Sequence, residues 1–133
     1  MSMNLLGNIP EKDFLGLFEN GHPQGPVIVE LLGYAKIDVS SVAGVERTSV
    51  RWDRGRMPQA VLERLTEWAT ALNLVAGFFE GDRHKTGLWF KTPNPALGYV
   101  RPRDMIRMGR YDKLYSFIMT ALDENKAPAK ASP

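Results

Sequence analysis

The sequence predicts an all-α fold, on three observations. Apolar residues recur at three- and four-residue steps along the longest unbroken stretch, at Val61, Leu62, Leu65, Trp68, Ala69, Leu72, Val75, Ala76 and Phe79. Prolines and glycines fall where helices start and stop. No segment sustains the two-residue alternation of a half-buried strand. With 133 residues, 44% hydrophobic and 24% charged, the chain has the length and composition of one small globular domain. A chain of this size buries about two-thirds of its unfolded surface on folding. A wholly disordered chain, a collagen-like repeat and a long coiled coil are excluded.

In the N-terminal segment, residues 1–26, Phe14, Leu15, Leu17 and Phe18 predict a short helix near 11–19. Gly21, Pro23, Gly25 and Pro26 then predict a loop. Pro26 also suits the first turn of a helix, where a missing N–H costs nothing. Val27, Ile28, Leu31 and Leu32 continue that helix, and Gly33 stops it. Ile37, Val39, Val42 and Val45 mark a further helix, with Ser40 and Ser41 available for local capping and Ala43-Gly44 as a small-residue turn. A second short helix after Val45 would carry Arg47, Thr48, Ser49, Val50 and Arg51; its β-branched residues also permit a strand. Two short helices about such a turn, the second rich in Arg, Thr and Ser, fit a helix-turn-helix. Those side chains are of the kinds that bind phosphates and base edges.

Met57-Pro58 opens the long helix. Its end, ALNLVAGFF at 71–79, is apolar almost all round, which fits either a core helix or one that also packs on a second chain. Gly81-Asp82 ends it, and the polar residues 82–86 read as a link. Trp89 and Phe90 are bulky anchors, while Pro93, Pro95, Gly98 and Pro102 forbid a regular helix between them. Asn94, preceding Pro95, is biased away from the helical region, and a short turn at 95–98 comes next. Pro102 and Asp104 start another helix, with Met105, Ile106 and Met108 facing inward and Gly109 as its stop. A last helix presents Tyr111, Leu114, Tyr115, Ile118 and Leu122 on one face. The tail 124–133 has no anchor residue and is expected to be mobile.

Seventeen basic and fifteen acidic residues give a net charge of +2, so the distribution says more than the sum. Arg47, Arg51, Arg54 and Arg56 cluster about one acid, Asp53; Arg101, Arg103, Arg107 and Arg110 cluster about Asp104. No cysteine is present, which excludes disulfides, a thiolate zinc site and a cysteine nucleophile. The two histidines, His22 and His84, lie in loop-like contexts, where solvation is the common state, and no metal-binding, dinucleotide or phosphate-loop spacing occurs. Glu63 and Glu67 are one helical turn apart, as solvated carboxylates on a surface helix often are. Tyr111 and Tyr115 have the spacing of core packing or of base stacking. The expectation is therefore a protein with no catalytic residue, no metal and no cofactor. No apolar run approaches a membrane span, and MSMNLLGNIPEKD lacks a basic region followed by an apolar one, so a cytoplasmic protein is expected.

The segment from 88 to 122, LWFKTPNPALGYVRPRDMIRMGRYDKLYSFIMTAL, resembles the C-terminal toxin-binding domain of Xre/MbcA/ParS-type antitoxins. The matching pattern is Trp89, then Pro93-Asn94-Pro95 and Ala96-Leu97-Gly98. Pro102-Arg103-Asp104-Met105-Ile106 comes after them, then Gly109 and the final amphipathic helix. Val27 to Phe79 is similar to that family's Xre-like helix-turn-helix and long helix, so the resemblance spans 27–123. It implies an all-α antitoxin, a homodimer, whose partner is a RES-domain toxin resembling NAD-consuming enzymes, and which represses its own operon by binding operator DNA.

Carried over by residue, the resemblance puts Arg47, Thr48, Ser49 and Arg51 on the recognition helix and makes Trp52 a packing residue. Arg54 and Arg56 are further candidates for phosphate contact. Relatives commonly read Ser-Val-x-Arg-Trp, whereas Ser49-Val50-Arg51-Trp52 lacks the intervening residue. On a helix, one residue fewer rotates every later side chain by about 100°. The toxin-binding candidates are Trp89, Asn94, Pro95, Leu97, Arg103, Arg107 and Arg110; the three arginines stand at i, i+4 and i+7, the spacing of one helix face. The division implied is an N-terminal segment (1–26), a helix-turn-helix-like region with the long helix (27–82), a toxin-binding subdomain (83–123) and the tail (124–133). A stand-alone helix-turn-helix transcriptional regulator is the alternative.

Overall fold

Pro58, extended and just ahead of the first helical residue, starts the helix around which the others are arranged, α3 (Gln59–Ala76). In the computed structural model, which describes residues 12–124, five further α-helices accompany it: α1 (Gly25–Leu32), α2 (Lys36–Ala43), α4 (Arg83–Lys91), α5 (Pro102–Arg107) and α6 (Tyr111–Asp123). Residues 1–11 and 125–133 lie outside the described residues, and with them nearly all of the tail expected to be mobile. The all-α class holds; the one departure among the described residues is a two-strand hairpin, β1 (Phe18–Glu19) with β2 (His22–Pro23).

Helices α1, α2, α4 and α6 all pack on α3. Trp68, Ala69, Leu72, Val75 and Ala76 are wholly buried, and every residue from 71 to 76 is enclosed. The run that is apolar all round thus has its partners within one chain. Burial of 71–76 removes the need for a second chain that its composition suggested. The core is continuous from Leu15 to Ile118 and takes in Phe90, Ile106 and Leu114, so it crosses the boundary expected near 82.

The helix expected near 11–19 is not formed by residues 12–19. The Asp13 carboxylate accepts from the amides of Leu17 (2.8 Å) and Phe18 (2.9 Å), a local alternative to helix hydrogen bonds. Asn20-Gly21 then makes a two-residue hairpin turn with both residues at positive φ, 53° and 79°. Asn-Gly is the pair such turns favour. Asn73, buried within α3, accepts from the Leu15 amide (3.1 Å) and donates to Asp13 (2.9 Å), which fastens the segment to the core. His22 belongs to β2 and its Nε2 lies 3.2 Å from the Trp52 carbonyl oxygen, so it is not a solvated loop histidine.

Further expectations are corrected. The second helix of the helix-turn-helix is a single 3-10 turn, Arg47–Ser49. Thr, Ser and Val favour helices weakly, and Val50 is pulled into the core from an extended backbone, so the turn is not propagated. Residues 82–86 are not a link but the start of α4: Asp82 caps it by accepting from the Lys85 amide at 2.9 Å. Met108 is 54% exposed rather than inward, because α5 ends at Arg107 and the chain turns at Gly109 (φ 77°). Gly33 is the left-handed cap of α1 and Pro95–Leu97 forms the turn, both as expected, while α3 ends at Ala76 and passes into a 3-10 turn, Gly77–Phe79, ahead of the stop expected at Gly81-Asp82. No helix among the described residues is long and apolar enough to cross a membrane.

Partial burial of Asp13 acts to raise its pKa, but the hydrogen bonds from Leu17, Asn73, Phe18 and Gly16 outweigh it and hold the carboxyl below the usual aspartate range. A carboxyl lowered on folding contributes stability that is complete above its unfolded pKa and is lost as pH falls through its folded one. Asp13→Ala is expected to lower unfolding free energy by about 1–2 kcal/mol at neutral pH. In urea titrations the gap from the wild type should close as pH drops below roughly 4. A gap of the same size at pH 7 and pH 3 would show that the charge of Asp13 contributes nothing.

Candidate functional site

All six side chains expected to face DNA are exposed, on one surface segment between α2 and α3. Two residues pin this segment. Val50 is wholly buried, and the Trp52 ring lies on Gly25, leaving no room for a Cβ there. Trp52 is thus a packing residue, as the resemblance implies. Arg51, between the two, is directed outward by the extended backbone and donates to the Thr48 carbonyl (2.8 Å). Arg54 donates to the Glu19 and Asn20 carbonyls (3.2 and 3.3 Å), and Arg56 makes an exposed ion pair with Asp53 (3.7 Å). The Arg47 side chain has no partner among the described residues. The result is an arginine-bearing loop held at its base, able to offer guanidinium donors to an anionic surface.

The toxin-binding candidates are distributed differently. Trp89 and Asn94 are buried and belong to the framework. The Trp89 ring meets Phe90 edge-on at 4.8 Å between centroids. Asn94 accepts from the Ala96 amide (2.9 Å), while its backbone takes a hydrogen bond from Tyr99 and gives one to Val100, which closes the Pro95–Leu97 turn. Pro95 is exposed and Leu97 half-buried on that turn.

Arg103, Arg107 and Arg110 do not form one free helix face. Arg103 donates to the Leu32 carbonyl at 3.2 Å, at the C-terminal end of α1, where a cation is favourable. Arg107 pairs with Asp38 of α2 (3.3 Å) and Asp104 (3.2 Å), its guanidinium 5.2 Å from the Tyr34 ring centroid. Arg110 is exposed but lies beyond Gly109, at the N-cap of α6. Burial pushes the Tyr34 hydroxyl pKa upward, keeping it a donor to the Arg103 carbonyl oxygen at 2.6 Å. Tyr111 likewise donates to the Glu67 carbonyl oxygen (2.7 Å) and stacks on Tyr115, so this pair serves packing.

The surface of the C-terminal half also includes residues that the sequence did not assign to the toxin contact. Tyr99 is 72% exposed and held at φ 65°, directly after Gly98 at φ 70°. Along α4, His84, Gly87, Leu88 and Lys91 fall on one stripe, with Leu88 54% exposed. The signal that would have found this stripe is Asp82 as an N-cap ahead of a helical spacing. Among the described residues no three of His, Asp and Glu gather as a metal site would require.

No family model matches the chain. Over 76 residues it is 26% identical to the Antitoxin Xre of Photorhabdus laumondii, a match covering 55% of this chain and 51% of that protein. The chain thus spans about half the length of the curated relative it matches. It also matches a chain of the crystal structure of the M. tuberculosis MbcT-MbcA toxin-antitoxin complex, with a TM-score of 0.51 and 27% identity, over 74% of this chain and 88% of that one. By sequence and by fold, the chain is similar to the Xre/MbcA-type antitoxins.

Proposed function

We propose that this chain is the antitoxin of a type II toxin-antitoxin pair, which binds a protein toxin through its C-terminal half and silences it. The observation that carries the reading is the likeness to a chain from a toxin-antitoxin complex, over 74% of this chain and 88% of that one. The ordered pattern from Trp89 to Gly109 supports it, because its prolines and left-handed turns pre-form the surface. A pre-formed surface loses little conformational entropy on binding. The partner we assign is a RES-domain toxin of the NAD-consuming type, on the resemblance of residues 88–122. The antitoxin's part is binding rather than catalysis.

Repression of its own operon is the second part of the reading, and the exposed arginines of 47–56 favour it. That feature equally suits a stand-alone transcriptional regulator, the competing reading. Without a recognition helix of full length, the loop is suited to phosphate contacts more than to base reading. As α4, α5 and α6 share the core with α3, the tests use the intact chain.

Co-expression with the product of the adjacent gene should restore growth of cells arrested by that product, and the two should co-purify. Arrest that persists although the chain is folded and abundant would exclude the antitoxin reading. For DNA, Arg47→Ala should flatten the log–log salt dependence of binding by about 0.9, the value of one phosphate contact. Equal affinity for the upstream region and for random duplex would exclude specific repression.

A further inference from the structure

An open groove of about 430 Å³ runs between α1 and α4, lined by Glu30, Leu31, Arg83, His84, Leu88 and Lys91, with Gly87 in its floor. Gly87 brings the helices together: a Cβ there would meet the Leu31 carbonyl oxygen at 3.3 Å. The α4 stripe at 84, 87, 88 and 91 therefore forms one wall, and Leu88 stands in it 54% exposed. A single exposed leucine on a convex surface needs no explanation. This one flanks a concavity whose lining includes two cations, Arg83 and Lys91, against one carboxylate, Glu30.

The charges of the groove are not internally matched. Arg83 is held by its donation to the Leu15 carbonyl (2.7 Å). Among the described residues, His84 and Lys91 have no side-chain partner, and Glu30 forms no ion pair with any of the three. The cationic character continues beyond Lys91. Arg103 lies with the Lys91 stem over Gly33, and Arg101 donates to the Lys91 carbonyl at 3.1 Å. The groove is thus an apolar contact bordered by cations and set between two packed helices.

We infer that this groove is a docking surface for an acidic segment of the partner protein that places an apolar side chain against Leu88. The inference rests on the antitoxin reading and locates its contact on α1 and α4 rather than on Trp89, Asn94 and the α5 arginines. Arg83 and Lys91, with Arg101 and Arg103 beside them, outnumber Glu30 and favour an acidic occupant. Leu88 selects protein over nucleic acid, since a phosphate backbone gains nothing from an exposed leucine. The arginine loop at 47–56 is a separate surface and takes no part in this contact.

The test measures binding of the full chain to the purified product of the adjacent gene by calorimetry, at low and high salt. The Leu88→Ser/Lys91→Glu double variant changes two exposed residues, and its thermal melt should match the wild type. Its affinity should fall by roughly tenfold or more, as loss of a central interface contact does, and with a weaker salt dependence. His84→Glu alone should give a smaller loss in the same direction, and Arg47→Glu/Arg51→Glu none. Wild-type binding with the double variant unchanged overturns the groove and leaves the antitoxin reading standing. No binding by the wild type overturns both. A double variant that loses DNA and keeps the protein partner also overturns the groove.

Discussion

The enclosure of the second half of α3 is the constraint on which the rest depends. A helix apolar on every side over 71–76 is stable in water only if other elements cover all of its faces. Helices α1, α2, α4 and α6 do this. Because so many elements share one small core, α4 to α6 are a part of the fold and not an appendage to it. The polar groups on α3 serve the same end. Asn73 accepts and donates to hold the N-terminal hairpin, and the Glu67 carbonyl accepts from Tyr111 of α6. An unpaired polar group at either place would cost more than the bond is worth, so these contacts select this packing over others.

A second constraint joins the two halves. Asp38 accepts from the Ala35 amide at the start of α2 and pairs with Arg107 of α5, whose guanidinium lies over Tyr34. Tyr34 in turn donates to the Arg103 carbonyl, and Arg103 reaches the end of α1. Arginines that stand in a row in the sequence are thereby taken up in holding α1, α2 and α5 together. The charge of Arg107 is paired within the chain, while that of Arg103 rests on backbone carbonyls and is not neutralised.

The surface left exposed is of two kinds. The 47–56 segment is a loop fixed at Val50 and Trp52, with arginines on short free stretches, which can adjust to an uneven anionic surface. The α1–α4 groove is built between packed helices and has its shape before any partner arrives. The two differ in the same way as backbone-following and shape-matched interfaces do. They also lie on different elements and share no residue.

The sequence by itself determined the helical class, the extents of α1 and α6, the start of α3 and the turn at 95–98, because periodicity, proline and glycine act over a few residues. It also determined the family likeness, which rests on an order of irregular residues. Asn20-Gly21 and Asp82 were readable as a hairpin turn and a helix cap, and the apolar residues beside Asn20-Gly21 suggest a helix that Asp13 and positive φ forbid. Only the tertiary structure decided which arginines are free. Arg47 and Arg103 are alike as letters, yet the first meets solvent and the second the carbonyl of Leu32 across 71 positions. It likewise decided that 71–76 is covered by its own chain and that Leu88 borders a groove. Those facts depend on which distant elements meet, and an amphipathic pattern states that a face is to be covered without stating by what.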